Sequence, residues 1–209
     1  MSNNVAKTVA RQLLTIKAIQ LSPEKPFTWA SGILSPIYCD NRKSLSYPEV
    51  RTFIKNSLAD KAAQFGDFDV VAGVATAGIP HGAYVADVLG KPFIYVRSKP
   101  KGHGMENLIE GKVTPGQKVI VVEDLISTGG SSLKAAEALT AAGFEVMGML
   151  AIFTYGFPLA DENFKNAGID LHCLSNYQVM LEKAMELGYI NESDVASLEE
   201  WRKDPSSWG

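Results

Sequence analysis

The stretch Val119-Ile120-Val121-Val122-Glu123-Asp124-Leu125-Ile126-Ser127-Thr128-Gly129-Gly130-Ser131 decides how this chain is read. Its first four residues are β-branched and apolar, the composition of a strand buried on both faces of a sheet. Two carboxylates, Glu123 and Asp124, follow where that strand is expected to end. A short run of Ser, Thr and Gly comes next, and Leu133 to Ala142 then shows helical spacing with many alanines. Strand, acidic pair, small-residue loop and helix, in that order, present polar groups at the carboxyl edge of a parallel α/β sheet. Such sheets bind their ligands there.

The loop suits a phosphate. Gly129 and Gly130 allow close backbone approach, Ser127, Thr128 and Ser131 supply hydroxyls, and the unpaired N–H groups of the following helix point the same way. No Gly-Lys-Ser/Thr closes it, so it is not a Walker A loop. The carboxylates ahead of it would repel a bare phosphate. They suit a ligand that carries hydroxyls or a metal ion beside its phosphate, as a phosphorylated sugar does.

Working outward, the same alternation recurs. Asp69–Val74 reads as a strand, Ala75–Pro80 as a loop of small residues, His81–Leu89 as a helix and Pro92–Val96 as a further strand, which implies parallel strands with right-handed crossovers. After the central motif come a strand at Phe144–Phe153, a helix at Pro158–Ala167 and a short strand at Ile169–Leu174. Toward the N-terminus, Val5, Val9, Leu13, Ile16 and Ile19 form one apolar stripe, predicting a helix that Ser22-Pro23 ends. Two short strands are expected in Phe27–Arg42, around a Gly/Pro turn, and a helix from Tyr47-Pro48 to Gln64. Two amphipathic helices, 176–187 and 194–201, close the chain, with Ser193 as the expected cap of the second.

The segment from Arg97 to Gly116 breaks the pattern. Arg97-Ser98-Lys99-Pro100-Lys101-Gly102-His103-Gly104 is basic, punctuated by glycine and without periodicity, the marks of a functional loop more than of a connection. His103, between glycines and beside lysines, is no core residue, whereas His81 and His172 fall within predicted elements and read as structural.

Composition narrows the function classes. The 209 residues are 46 % hydrophobic and 21 % charged, with a net charge of −3. A single soluble domain is expected, and the acidic balance argues against non-specific nucleic-acid binding. Cys39 and Cys173 lack metal-ligand spacing and read as free thiols. No window has the length of a membrane span and no signal peptide opens the chain, so a cytoplasmic protein is expected.

The run of four apolar residues, acid, Asp, two apolar residues, Ser, Thr, Gly, any residue and Ser is similar at every position to the 5-phosphoribosyl 1-diphosphate (PRPP) motif of type I phosphoribosyltransferases. The Arg97-x-x-x-Lys101-x-His103-Gly104 spacing and the segment Ser31-Gly32-x-x-Ser35-Pro36-x-Tyr38-x-Asp40 further resemble the orotate phosphoribosyltransferase family, over nearly the whole chain. That resemblance implies an α/β fold: a parallel sheet flanked by helices, core about 46–169, with a small hood from about 1–45 and 170–209. It implies transfer of the phosphoribosyl group from PRPP to orotate, giving orotidine 5′-monophosphate and diphosphate in pyrimidine biosynthesis. Mg²⁺ would be held through PRPP with no protein metal site. The enzyme would be a homodimer whose 97–104 loop reaches the partner's active site.

Carried over by position, Arg97, Lys101 and His103 would contact the diphosphate. Glu123, Asp124, Leu125, Ile126, Ser127, Thr128, Gly129, Gly130 and Ser131 would hold the ribose 5-phosphate, the two carboxylates meeting its 2- and 3-hydroxyls. Lys101, His103 and Asp124 are the catalytic candidates, and Ser127 would also touch orotate. The chain departs from some members at Thr76-Ala77, at Ser98 and at Tyr155, where an arginine binds the orotate carboxylate. Arg42 is the candidate for that contact here. A purine or xanthine phosphoribosyltransferase and a non-catalytic PRPP-sensing regulator remain as alternatives, although neither calls for the Lys-x-His-Gly loop.

Overall fold

The computed structural model describes residues 2–29, 32–99, 108–205 and 208. Helix α1 (Ser2–Thr15) buries Val9, Ala10, Leu13 and Leu14. The apolar stripe predicts that it runs on through Ile19, but it stops at Thr15. Lys17 takes a left-handed φ of 55° and the Ala18 N–H donates to the Leu13 carbonyl, which caps the helix. Ile19 is therefore buried through a strand. Four short strands follow, β1 (Ile19–Leu21), β2 (Phe27–Thr28), β3 (Leu34–Ser35) and β4 (Ile37–Cys39), paired antiparallel as β1 with β4 and β2 with β3. A 3₁₀ turn over Asn41–Ser46 leads into helix α2 (Pro48–Ala62).

The α/β alternation then runs β5 (Val70–Val74), α3 (Gly78–Leu89), β6 (Phe93–Val96), β7 (Ile109–Glu110), β8 (Lys118–Ile126), α4 (Gly130–Ala141), β9 (Glu145–Thr154), α5 (Pro158–Ala167) and β10 (Leu171–Asn176). Helices α6 (Tyr177–Glu186) and α7 (Glu192–Lys203) finish it. The strand order is β10-β9-β8-β5-β6-β7, parallel except for β7, which lies antiparallel to β6. The 97–116 segment thus contains a strand that its own residues do not announce. Successive residues of β8 face opposite ways. Ile120 and Val122 enter the core shared with α1, α2, α3 and α6, and Val119 and Val121 enter the one shared with α4 and α5.

Strand order reverses between β5 and β8, since the chain leaves β5 on one side for β6 and later continues on the other side through β8, β9 and β10. That is the switch point at which open α/β sheets form a crevice. Pairing of β8 with β5 ends at Gly73 opposite Val122, but pairing with β9 continues to Ile126 opposite Thr154. Glu123 to Ile126 consequently extend beyond β5. The strand does not end before the carboxylates, as predicted; it carries them past its neighbour, with one edge facing the crevice.

The N- and C-terminal segments pack against each other. Ser175 Oγ donates to the Ala6 carbonyl at 2.9 Å, and Trp201 Nε1 donates to the Leu34 carbonyl at 3.3 Å. Trp29, Tyr155, Phe157, Tyr177 and Trp201 form one aromatic cluster, with ring centroids 5.4 to 5.8 Å apart. The cap of α7 is Asn191, in a capping box with Asp194, and Ser193 sits inside the first turn. Among the described residues no helix is long and apolar enough to cross a membrane.

Candidate active site

Glu123 is 6 % exposed. Its Oε2 accepts from Ser132 Oγ at 3.0 Å and its Oε1 accepts from the Asp124 N–H at 2.9 Å. The Asp124 carbonyl accepts from Asn41 Nδ2 at 2.8 Å, and the Asn41 side chain is itself met by the Cys39 thiol. Asn41 and Ser132, both buried, thus position the pair from opposite sides. Sequence reading singled out neither Asn41 nor Ser132 as a site residue. Burial raises the pKa of both carboxyls, and the charge of Asp124 adds to the rise at Glu123. Two such groups gain most from a ligand that brings hydroxyl donors or positive charge.

The adjoining loop is held by two hydrogen bonds. Asn163 Nδ2 donates to the Thr128 carbonyl at 2.9 Å and the Leu133 N–H to the Gly129 carbonyl at 2.9 Å. Gly129 takes φ +80°, and a Cβ there would stand 2.6 Å from the Phe164 ring, so this position requires glycine. Helix α4 begins at Gly130, not at Leu133, which brings its free first-turn amides to the loop itself. Ser127 is half-buried, Thr128, Gly130 and Ser131 are exposed, Leu125 is half-buried, and Ile126 is fully buried in the core with its carbonyl taken by the Tyr155 N–H.

Across the crevice, the 75–78 loop is tied to the end of β6 by the Ala75 N–H donating to the Val96 carbonyl at 2.8 Å. The Ala75–Thr76 peptide is cis. Gly78 packs so tightly on β8 that a Cβ would lie 2.5 Å from the Val122 carbonyl oxygen. Three residues on, His81 is 2 % exposed, and burial lowers its pKa from 6.5 to about 4. A His whose folded pKa is depressed stays neutral in the fold while the unfolded chain takes up a proton. Its contribution is therefore complete above pH 6.5 and is lost as pH falls toward 4, by up to about 3 kcal/mol. Thermal unfolding of the wild type and His81→Gln over that range is expected to show the gap between them shrinking with acid; a constant gap would contradict this.

Arg97 is anchored at the base of the basic segment. Its N–H donates to the Leu108 carbonyl at 2.8 Å and its Nη1 lies 3.2 Å from Glu110 Oε1. Lys101 and His103 lie outside the described residues. Arg42 is paired with Asp40 at 2.6 Å and its side chain is 58 % exposed. Tyr155 is buried within the aromatic cluster, and burial raises its phenol pKa well above the ordinary value. His172, on β10, faces Asp170 at 3.2 Å and packs on Phe65, as a structural residue. Cys39 and Cys173 are free. No three His, Cys, Asp or Glu side chains among the described residues gather as a metal cage.

Two cavities adjoin Ser127. One, of about 300 Å³, lies between Trp29, Tyr38, Leu125 and Tyr155. The other, of about 450 Å³, runs from Ser127 and Thr128 past Phe157 to the end of α7. A crevice offering acceptors, phosphate donors and a recess with an aromatic wall side by side can hold a phosphorylated sugar next to a planar ring.

Comparison with known proteins agrees. Residues 42–169 match the phosphoribosyl transferase domain. The chain is 59 % identical over 206 residues to an orotate phosphoribosyltransferase of Bacteroides thetaiotaomicron, covering 98 % of this chain and 97 % of the relative. Its fold matches the crystal structure of orotate phosphoribosyltransferase from Aeropyrum pernix with a TM-score of 0.76 at 30 % identity, over 88 % of this chain and 99 % of that one. It also matches the structure of Leishmania donovani UMP synthase with a TM-score of 0.77 at 26 % identity, covering 94 % of this chain but only 42 % of the longer one. With a crevice of this make-up and a relative 59 % identical over 97 % of its length, the chain belongs to the orotate phosphoribosyltransferase family.

Proposed function

We propose that this protein transfers the 5-phosphoribosyl group of PRPP to orotate, yielding orotidine 5′-monophosphate and diphosphate. One observation carries the site assignment: buried Glu123 and half-buried Asp124 lie on the open edge of β8, directly ahead of the Ser127–Ser131 loop. Acceptors for the ribose hydroxyls and donors for the 5-phosphate are thereby a few residues apart on one rigid strand and turn. Thr128, Gly129, Gly130 and Ser131 take the phosphate with the first amides of α4, and Ser127 lies between sugar and base. The 75–78 loop and Arg97, Lys101 and His103 serve the diphosphate.

Orotate N1 bonds to C1 of the ribose as the bond from C1 to the diphosphate oxygen breaks; the bonding pair leaves with diphosphate, and the proton on N1 is released to water. Configuration at C1 inverts. Positive charge grows on the ribose, beside Glu123 and Asp124, and negative charge grows on the leaving group, where cations stabilise it. Mg²⁺ bound to PRPP supplies part of that neutralisation. The carboxylate pair fits such a ligand better than a bare anion. Lys101 meets charge that increases toward the transition state, so Lys101→Ala is expected to lower kcat by about 100-fold while shifting the KM for PRPP far less. Steady-state kinetics of the variant checks this, and an unchanged kcat removes Lys101 from the mechanism.

On this reading the enzyme is a cytoplasmic homodimer, core 46–169 and hood 1–45 with 170–209, in which Arg97, Lys101 and His103 serve the partner's site. The reaction assignment is tested by incubating the protein with PRPP, Mg²⁺ and, in turn, orotate, hypoxanthine, xanthine or guanine. Consumption of orotate alone is expected. Consumption of a purine in its place would reassign the enzyme, and no turnover with any base would make it a PRPP-binding regulator.

A further inference from the structure

The two cavities that meet at Ser127 differ in charge. Side chains lining the smaller one, among the described residues, are all neutral. The larger one reaches from Ser127 and Thr128 to Arg202, in the last turn of α7, with Lys203 and Asp204 bringing opposite charges to its rim. Arg202 Nη1 donates to the Gly156 carbonyl in a long hydrogen bond of 3.5 Å, and its guanidinium carbon stands 5.9 Å from the centroid of the Tyr177 ring. A cation from the C-terminal helix is thereby set at the end of β9, one residue beyond Tyr155. Trp29 borders both cavities and its ring lies 5.5 Å from that of Tyr155, so a planar base has an apolar wall between Ser127 and the guanidinium.

Orotate differs from uracil by one carboxylate on C6. A carboxylate leaving water needs a charged donor, and a planar guanidinium fits it with two parallel hydrogen bonds. Tyr155 offers a carboxylate no positive charge in any protonation state. Arg42 is committed to Asp40 and lies outside the described lining of both cavities. We propose that Arg202 receives the orotate carboxylate and is the residue by which this protein distinguishes orotate from pyrimidines without that group. Selectivity for the acceptor then comes from the C-terminal helix, whereas the grip on PRPP comes from β8 and its loop. The assignment rests on the proposed reaction.

Orotidine 5′-monophosphate and uridine 5′-monophosphate differ only in this carboxylate, so their dissociation constants isolate its contact. The wild type is expected to bind the first more tightly. Arg202→Gln retains a donor for the Gly156 carbonyl but no charge, and should lower that preference about 50-fold, with the KM for PRPP within about twofold. Arg202→Lys, which keeps a point charge without the fork, should lower it by about tenfold and stands in if the glutamine protein does not fold. A variant that weakens both nucleotides equally shows a structural role, and one that raises only the KM for PRPP gives Arg202 to the phosphate; either overturns the assignment. A wild type that turns over orotate while its variants keep the full preference rejects Arg202 alone. A wild type that binds the two nucleotides alike and leaves orotate unconsumed rejects the reaction itself.

Discussion

Asp124→Asn is expected to lose between about 100- and 1,000-fold in kcat/KM, the scale of removing one preorganised electrostatic group from a transition state. The substitution keeps the shape of the side chain and leaves the backbone carbonyl that Asn41 holds at 2.8 Å. It deletes only the charge facing the ribose as C1 becomes positive. The same change should not weaken the fold. Burial raises the Asp124 pKa, and Glu123 beside it is raised further. A carboxyl whose folded pKa exceeds its unfolded one binds its proton more firmly in the fold. Its stabilising share is thus present at low pH and is lost as pH rises from the unfolded value of about 4 through the raised folded value. The asparagine protein escapes that loss. Its melting temperature should equal the wild type's near pH 4 and match or exceed it at pH 8. An inactive variant that also melts earlier at pH 8 would make Asp124 a structural residue.

Gly78→Ala should produce the opposite pairing, with stability and substrate binding falling together. A Cβ at this position lies 2.5 Å from the Val122 carbonyl oxygen and 3.2 Å from Glu123 Cα, and the Gly78 carbonyl already lies where a Cβ on Gly73 would come within 2.9 Å. All of these neighbours are backbone, so no side chain can turn aside. Helix α3 must lift from β5 and β8, at a cost of about 3 kcal/mol. For a chain of this size that corresponds to roughly 6 to 12 °C in melting temperature. The lift moves residues 75–77 away from Glu123, so the KM for PRPP should rise in the fraction that remains folded. Calorimetry with steady-state kinetics checks both. An unaltered melting temperature would mean that α3 does not rest on β8 as described.

These two positions also mark what the sequence could and could not disclose. The β-branched run, the acidic pair and the glycine-serine loop declare themselves because a buried strand, a carboxyl edge and a phosphate turn each demand particular residue types in fixed order. The length of β8 was not legible. Glu123 and Asp124 look like the end of an apolar run, but β9 goes on pairing to Ile126 after β5 has stopped. Ile19 fits a helical stripe, and only the left-handed turn at Lys17 moves it into β1. The short β7 exists because β6 offers it an edge, not because Ile109-Glu110 has a period of its own.

Residues that support the site are the least visible of all. Asn41, Ser132 and Asn163 act through single hydrogen bonds to Asp124, Glu123 and Thr128, across up to 83 positions of sequence. Such contacts follow from the path of the backbone and leave no spacing to read. Arg202 belongs with them, since a C-terminal helix residue meets Gly156 only because Trp201 docks that helix against the aromatic cluster.

The central claim is most directly tested by product stoichiometry. Purified protein given PRPP, Mg²⁺ and orotate should release one diphosphate for each orotidine 5′-monophosphate formed, with both ceasing when orotate is left out. Diphosphate released without the nucleotide, or orotate left untouched while a purine is converted, would contradict the account.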